Sequence, residues 1–232
     1  MSDAGAVPGS GEQVGGRSPL RIVLRTGRDV AGAFPALGDD IRVHTSAAIE
    51  AHVTEAPAVT ARALLRELES HAPAGDDVAL TDVVVLSMAI DVDEWARNPG
   101  PTGRPAAREW HDNMRGVCEH LKASGARVFV CNASTVVPDD HRSSYYDAAE
   151  PASVFANRLD AALIELSISE GISIIDVDGI VAELGAGEHV SGLLTYSATA
   201  LDAIRADLVR VLDDYGFFHA RALLPQRGHR VA

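Results

Sequence analysis

Residues 82–91 read Asp82-Val-Val-Val-Leu-Ser-Met-Ala-Ile-Asp91. A β-branched apolar run with an acidic residue at each end is the pattern of a strand buried on both faces. It predicts the central strand of a parallel sheet. Ligands of open α/β sheets bind outside the carboxyl ends of the strands, so residues 88–95 are expected to line the site.

Outward from this strand, helices and strands alternate. Residues 20–24 (Leu-Arg-Ile-Val-Leu) read as the first strand, followed by a turn at Arg25-Thr-Gly-Arg-Asp29 and a first helical turn at 30–34. Ile41-Arg-Val-His44 alternates as an edge strand does. Residues 58–71 carry Val59, Ala63, Leu64 and Leu68 at helical spacing, with Arg62, Arg66, Glu67 and Glu69 on the other face. Residues 73–77 read as a turn and 98–103 as a loop.

Residues 105–124 form a long helix opened by Pro105, striped by Trp110, Met114, Val117, Cys118 and Leu121, and stopped by Gly125. A strand at 127–131 leads into a polar loop at 132–146. A helix at 151–170 ends at Gly171, and the last strand spans 172–177. A short helical piece is expected at 180–184. Ser197 is placed to cap a final helix running to Tyr215 with Leu201, Ile204, Leu208 and Leu212 inward. This order predicts a three-layer α/β/α sandwich with a parallel, flavodoxin-like sheet of about five strands. Residues 1–18 read as a disordered leader, 19–216 as the α/β domain and 217–232 as a tail.

Composition narrows the function. The chain has 232 residues, 47% hydrophobic and 23% charged, ordinary for a globular protein that can bury a sizeable core. A net charge of −13 argues against nucleic acid or an anionic membrane as partner. No run of 18 apolar residues suggests a membrane span, and residues 1–18 lack the basic start and apolar core of a signal peptide. A cytoplasmic location is expected. Cys118 and Cys131 are no disulfide framework and have no partners at metal-ligand spacing. The glycine-rich stretch 9–16 follows no strand, so it is a poor phosphate loop. No cofactor and no metal are expected.

Four segments carry a resemblance. Leu121-Lys-Ala-Ser-Gly-Ala-Arg-Val-Phe-Val130, Asn157-Arg-Leu-Asp-Ala-Ala-Leu163, Gly171-Ile-Ser-Ile-Ile-Asp-Val177 and Ser197-Ala-Thr-Ala-Leu201 follow the Val-Val-Val-Leu strand in order. Together they resemble the SGNH (GDSL-type) hydrolase superfamily over roughly residues 20–215. That resemblance implies a Gly-Asp-Ser nucleophile after the first strand, a Gly-x-Asn-Asp motif after the central strand supplying an oxyanion-hole Asn, and an Asp-x-x-His motif before the last helix. A serine hydroxyl needs a base and the oxyanion needs preorganised donors. Here Arg28 stands at the serine position if Gly32 closes the motif. Met88-Ala-Ile-Asp91 puts Ile90 at the Asn position, and Gly192-Leu-Leu-Thr195 replaces Asp-x-x-His. Three independent departures imply that the serine-hydrolase chemistry is absent.

The expected function is therefore a pseudoenzyme or binding protein that uses the old cleft for a small anionic ligand or a protein partner. Arg25, Arg28 and Asp29 follow the first strand, and an arginine fork suits a carboxylate or phosphate. The other candidate ligand contacts are Asp91, Trp95, Asn132 and Thr195. Asp91, Asp93 and Glu94 form an acidic cluster that reads as a solvated loop. The alternative is an esterase or acyltransferase with a relocated site using His189 as base, with Ser87, Ser134 or Ser191. It requires a hydroxyl or thiol within hydrogen-bond reach of a histidine. His141 and His44 are expected on the surface and at a strand end. A third reading, an unrelated flavodoxin-like binding fold, would need a phosphate-cradling loop where Arg25-Thr-Gly-Arg-Asp29 stands. Phe217-Phe-His219 is expected to dock on the body or on a second subunit.

Overall fold

Strand β1 (Leu20–Arg25) sends Leu20, Ile22 and Leu24 into the core, while Arg21, Val23 and Arg25 stay half-buried on the other side. This is a computed structural model, describing residues 19–27, 29–70, 81–98, 104–136, 151–192 and 194–219. The leader, Arg28, the 73–77 turn, residues 99–103, the greater part of the 132–146 loop with His141, Leu193 and the chain after 219 lie outside the described residues.

After β1 comes a single 3₁₀ turn (Ala31–Ala33) and then helix α1 (Leu37–His44). The edge strand expected at 41–44 is thus the last turn of a helix. Leu37 and Ile41, one turn apart, are both fully buried. Asp39 and Asp40 stand in the first turn, with Arg42 and His44 in the last, each complementing the helix dipole. Four alternating residues were too few to separate the two periods. The edge position belongs to β2 (Ala51–Glu55), which pairs only with β1 and is largely exposed.

Helix α2 (Ala61–Ser70) precedes β3 (Val83–Ser87), all five of whose residues are buried. The chain continues through α3 (Ala89–Arg97), α4 (Arg104–Ala123), β4 (Arg127–Cys131) and α5 (Ala152–Glu170). Gly171 ends α5 with φ +65°, the left-handed cap that glycine adopts freely. β5 (Ser173–Ile175) is shorter than expected. Then follow α6 (Val177–Leu184), a turn of helix α7 (Ala186–His189), the hairpin β6 (Val190–Gly192) with β7 (Thr195–Tyr196), and α8 (Ala198–Asp214).

The five long-range strands are all parallel, in the order β2-β1-β3-β4-β5, so the Val-Val-Val-Leu strand is central. One side of the sheet is covered by α2, α3, α4 and α5, with Val84, Leu86, Trp95, Trp110, Phe155 and Leu163 in that core. The other is covered by α1, α6 and α8, with Ile22, Phe34, Phe129, Ile175 and Ile204 in that core. This is the three-layer sandwich that the alternation of elements predicts. Past α8, Phe218 is 5% exposed and its ring centroid lies 5.6 Å from His44, so the aromatic pair docks on the body. No helix among the described residues is long and apolar enough to cross a membrane.

Candidate functional site

Three strands bring the candidate residues together at their carboxyl ends. Ser87 closes β3 opposite Cys131 of β4, and Thr26, Gly27 and Asp29 follow β1, the strand paired with β3 on its other side. Here Ser87 Oγ donates to Asp29 Oδ2 at 2.8 Å and accepts from the Ala89 N–H at 3.1 Å. Both residues are 4% exposed. Burial pushes the Asp29 carboxyl up to about 6, with the Ser87 hydrogen bond pulling the other way. Asp29 Oδ1 is buried without a partner. Sequence reasoning reached Asp29 but not this partnership. The available signal was a serine closing an otherwise apolar strand.

Arg25, Asp91 and Asn132 are spoken for. Arg25, expected as an anion fork, makes a bidentate pair with Glu67 of α2, at 3.0 and 2.6 Å. Its guanidinium therefore fastens α2 to the sheet. We expect Arg25→Ala to cost about 1 kcal/mol in a urea titration, because the pair is partly exposed. Arg28 lies outside the described residues.

Asp91 accepts from the Ala61 N–H at 3.0 Å and so caps α2 from a distant element. Burial pushes its carboxyl up to about 7, against that hydrogen bond. Asp93 pairs with Arg97 at 2.6 Å. Among the described residues, no three His, Cys, Asp or Glu side chains form a group that could hold a metal ion. Trp95, 7% exposed, stacks on Phe155 with centroids 4.7 Å apart.

Asn132 sits one residue past β4. Its amide donates to Asp176 Oδ1 at 2.8 Å, and its carbonyl oxygen accepts from the Asp178 N–H at 3.2 Å. Thr135 donates to Asp178 from both N and Oγ1, at 2.7 and 3.2 Å. These contacts fix the start of α6 against the end of β4. Tyr196 accepts from the Ser134 N–H at 3.1 Å, which holds the β6–β7 hairpin over the same end of the sheet. Burial pushes the Tyr196 phenol and the Cys131 thiol up. Thr195 is exposed in β7.

His189 does meet a hydroxyl, though not one of the three serines expected. Its Nδ1 lies 2.7 Å from Ser197 Oγ. Ser197 Oγ also accepts from the Ala200 N–H at 3.2 Å, as the expected cap of α8, and the Ser197 N–H donates to the His189 carbonyl at 2.9 Å. Ser134 is buried with its Oγ accepting from Val136, and Ser191 is exposed.

No protein-family model and no curated protein matches the sequence. Solved structures do match in shape. An acetyl xylan esterase superposes with a TM-score of 0.62 at 13% identity, covering 83% of this chain and 99% of its own. A lipase/acylhydrolase from Enterococcus faecalis gives 0.59 at 16% identity, covering 84% and 96%. A GDSL-like lipase from Bacteroides thetaiotaomicron gives 0.57 at 13% identity, covering 84% and 89%. With a five-stranded parallel sheet in the order β2-β1-β3-β4-β5, helices on both faces and these neighbours over nearly their whole lengths, the chain has the α/β/α fold of the SGNH/GDSL hydrolases.

Proposed function

We propose that this chain has given up serine-hydrolase chemistry and uses the carboxyl-end cleft to bind a small ligand or a protein partner. The observation that carries the reading is the Asp29–Ser87 pair. It fills the ends of β1 and β3 with a buried carboxyl whose hydroxyl partner is already held by the Ala89 N–H. A nucleophile needs a reachable oxygen and a base that can take its proton and return it, and Ser87 is 4% exposed. Ile90 at the oxyanion Asn position and Thr195 at the position of the base support the same reading. An anionic ligand would depend on Arg28, because Arg25 is bound to Glu67.

One observation favours the alternative, an esterase or acyltransferase with a relocated site. His189 Nδ1 and Ser197 Oγ are within proton-transfer reach. The pair also has a structural use, since Ser197 caps α8 and His189 orients that hydroxyl.

The two readings part in one assay. We expect p-nitrophenyl acetate and butyrate to be hydrolysed no faster than by serum albumin, with His189→Ala and Ser197→Ala unchanged in rate. Ser197→Ala should still lose about 1 kcal/mol of stability as a helix cap. Turnover above that background, lost in either variant, would establish the relocated site instead.

A further inference from the structure

Helix α5 (Ala152–Glu170) is apolar on two faces. Its inner face, with Phe155, Leu159, Leu163 and Leu166, is buried in the core shared with α3 and α4. Its outer face carries Val154, Ile164 and Ile168, which are 39%, 53% and 81% exposed. These are three of the six exposed large hydrophobic side chains among the described residues, and no other element holds more than one. A helix that is hydrophobic all round is normally buried all round, and clustered exposed apolar side chains mark an interaction surface.

The outer positions are regular. Val154, Ala161 and Ile168 recur every seven residues, and Asn157 and Ile164 stand three residues after the first two. All five are exposed. This is the spacing of a helix that lies along a second helix.

Charge selects the occupant. Arg158 and Glu165 are seven residues apart, so they share one flank of the stripe. When two identical helices pack antiparallel, each flank meets the same flank of the other helix. A two-fold axis near Ala161 then sets Val154 of each copy against Ile168 of the other, and Arg158 against Glu165. Each contact is made twice, as an isologous interface requires. The small Ala161 side chain lets the helices approach at the axis. The remaining acids of the helix are turned elsewhere. Asp178 and Asp176 are the charges acting on Asp160, which places it toward α6, and Glu170 pairs with Lys122 at 3.2 Å.

We propose that the outer face of α5 is a homodimer interface, in which the helix packs antiparallel on α5 of a second copy about an axis near Ala161. The proposal does not depend on what the cleft binds. A standard interface buries about 800 Å² per partner, more than the stripe of one helix supplies. The dimer is therefore reversible, and its mass falls on dilution.

Sedimentation velocity of the full chain over a dilution series tests this. The weight-average mass should rise with concentration from 24.4 kDa toward twice that value. Ile164→Glu and Ile168→Glu should each stay monomeric throughout the series and keep the wild-type circular dichroism, because both side chains are exposed. Glu165→Arg should weaken the dimer about tenfold or more, since like charges then meet at both ends of the axis. Val43→Glu, exposed on α1, should dimerise as the wild type does. A short bis-maleimide should join Ala161→Cys to itself but not Val43→Cys, the native Cys118 and Cys131 being buried. A wild type that stays monomeric throughout, or whose mass climbs past the dimer, overturns the proposal. So does a dimer that survives both Ile variants, that Glu165→Arg leaves equally tight, or that the reagent fails to join through Ala161→Cys.

Discussion

At pH 8, Asp29→Asn is expected to be more stable than the wild type by about 2 kcal/mol, and at pH 4 nearly equal to it. Burial raises the Asp29 carboxyl from 3.8 to about 6, so between these values the folded state holds a proton that the unfolded chain has lost. Stability falls with rising pH wherever the folded state binds more protons. The contribution is therefore complete below pH 4, declines through pH 6 and is gone above it. Two pKa units correspond to about 3 kcal/mol, and the unpaired amide of the asparagine returns part of that. Asn still accepts from Ser87, so the β1–β3 connection survives. Urea midpoints from pH 4 to pH 8 measure the effect. Parallel curves for the two proteins would mean that Asp29 is solvated and its carboxyl ordinary. Asp91 and Asp160 tilt the same curve in the same direction. Burial pushes each up to about 7, helped at Asp160 by Asp178 and Asp176.

Trp95→Ala is expected to cost about 3–5 kcal/mol, the usual loss for deleting a buried aromatic side chain. Trp95 is 7% exposed and stacked on Phe155 within the core that α3, α4 and α5 share. Trp95→Phe should cost only about 1–2 kcal/mol. It keeps the stack, and the Trp95 indole N–H has no hydrogen bond to lose. Denaturant unfolding of both variants decides what this residue does. A ligand-pocket floor would give an Ala variant of nearly wild-type stability. A core side chain gives the large loss and the partial rescue by Phe.

The regular elements were legible because their signals are local. Residues 127–131 form a strand with the expected boundaries, and Ser197 caps the last helix through the Ala200 N–H. The failure at 41–44 is equally local in origin. Ile-Arg-Val-His alternates by chance, and the acids at 39 and 40 and the bases at 42 and 44, which mark a helix, were the better signal. The edge of the sheet lies instead at Ala51–Glu55.

Side-chain partnerships behave differently. The chain announces Arg25, Asp91 and Asn132 as polar residues at strand ends, which is where ligand contacts sit in this architecture. It does not announce that Glu67 reaches Arg25, that Ala61 takes Asp91, or that Asp176 takes Asn132. Asp29 and Ser87 lie 58 positions apart, and only the order β2-β1-β3-β4-β5 makes their strand ends neighbours.

The sequence alone determined the alternation of helices and strands and the central place of the Val-Val-Val-Leu strand. Each of these is written in residue type and period, which survive without knowledge of the neighbours. The tertiary structure alone decided which polar groups are spent on one another and which oxygen is left over. Hydrogen-bond pairing is a contact between distant segments, and burial raises the energy of an unpaired group only after those segments have met.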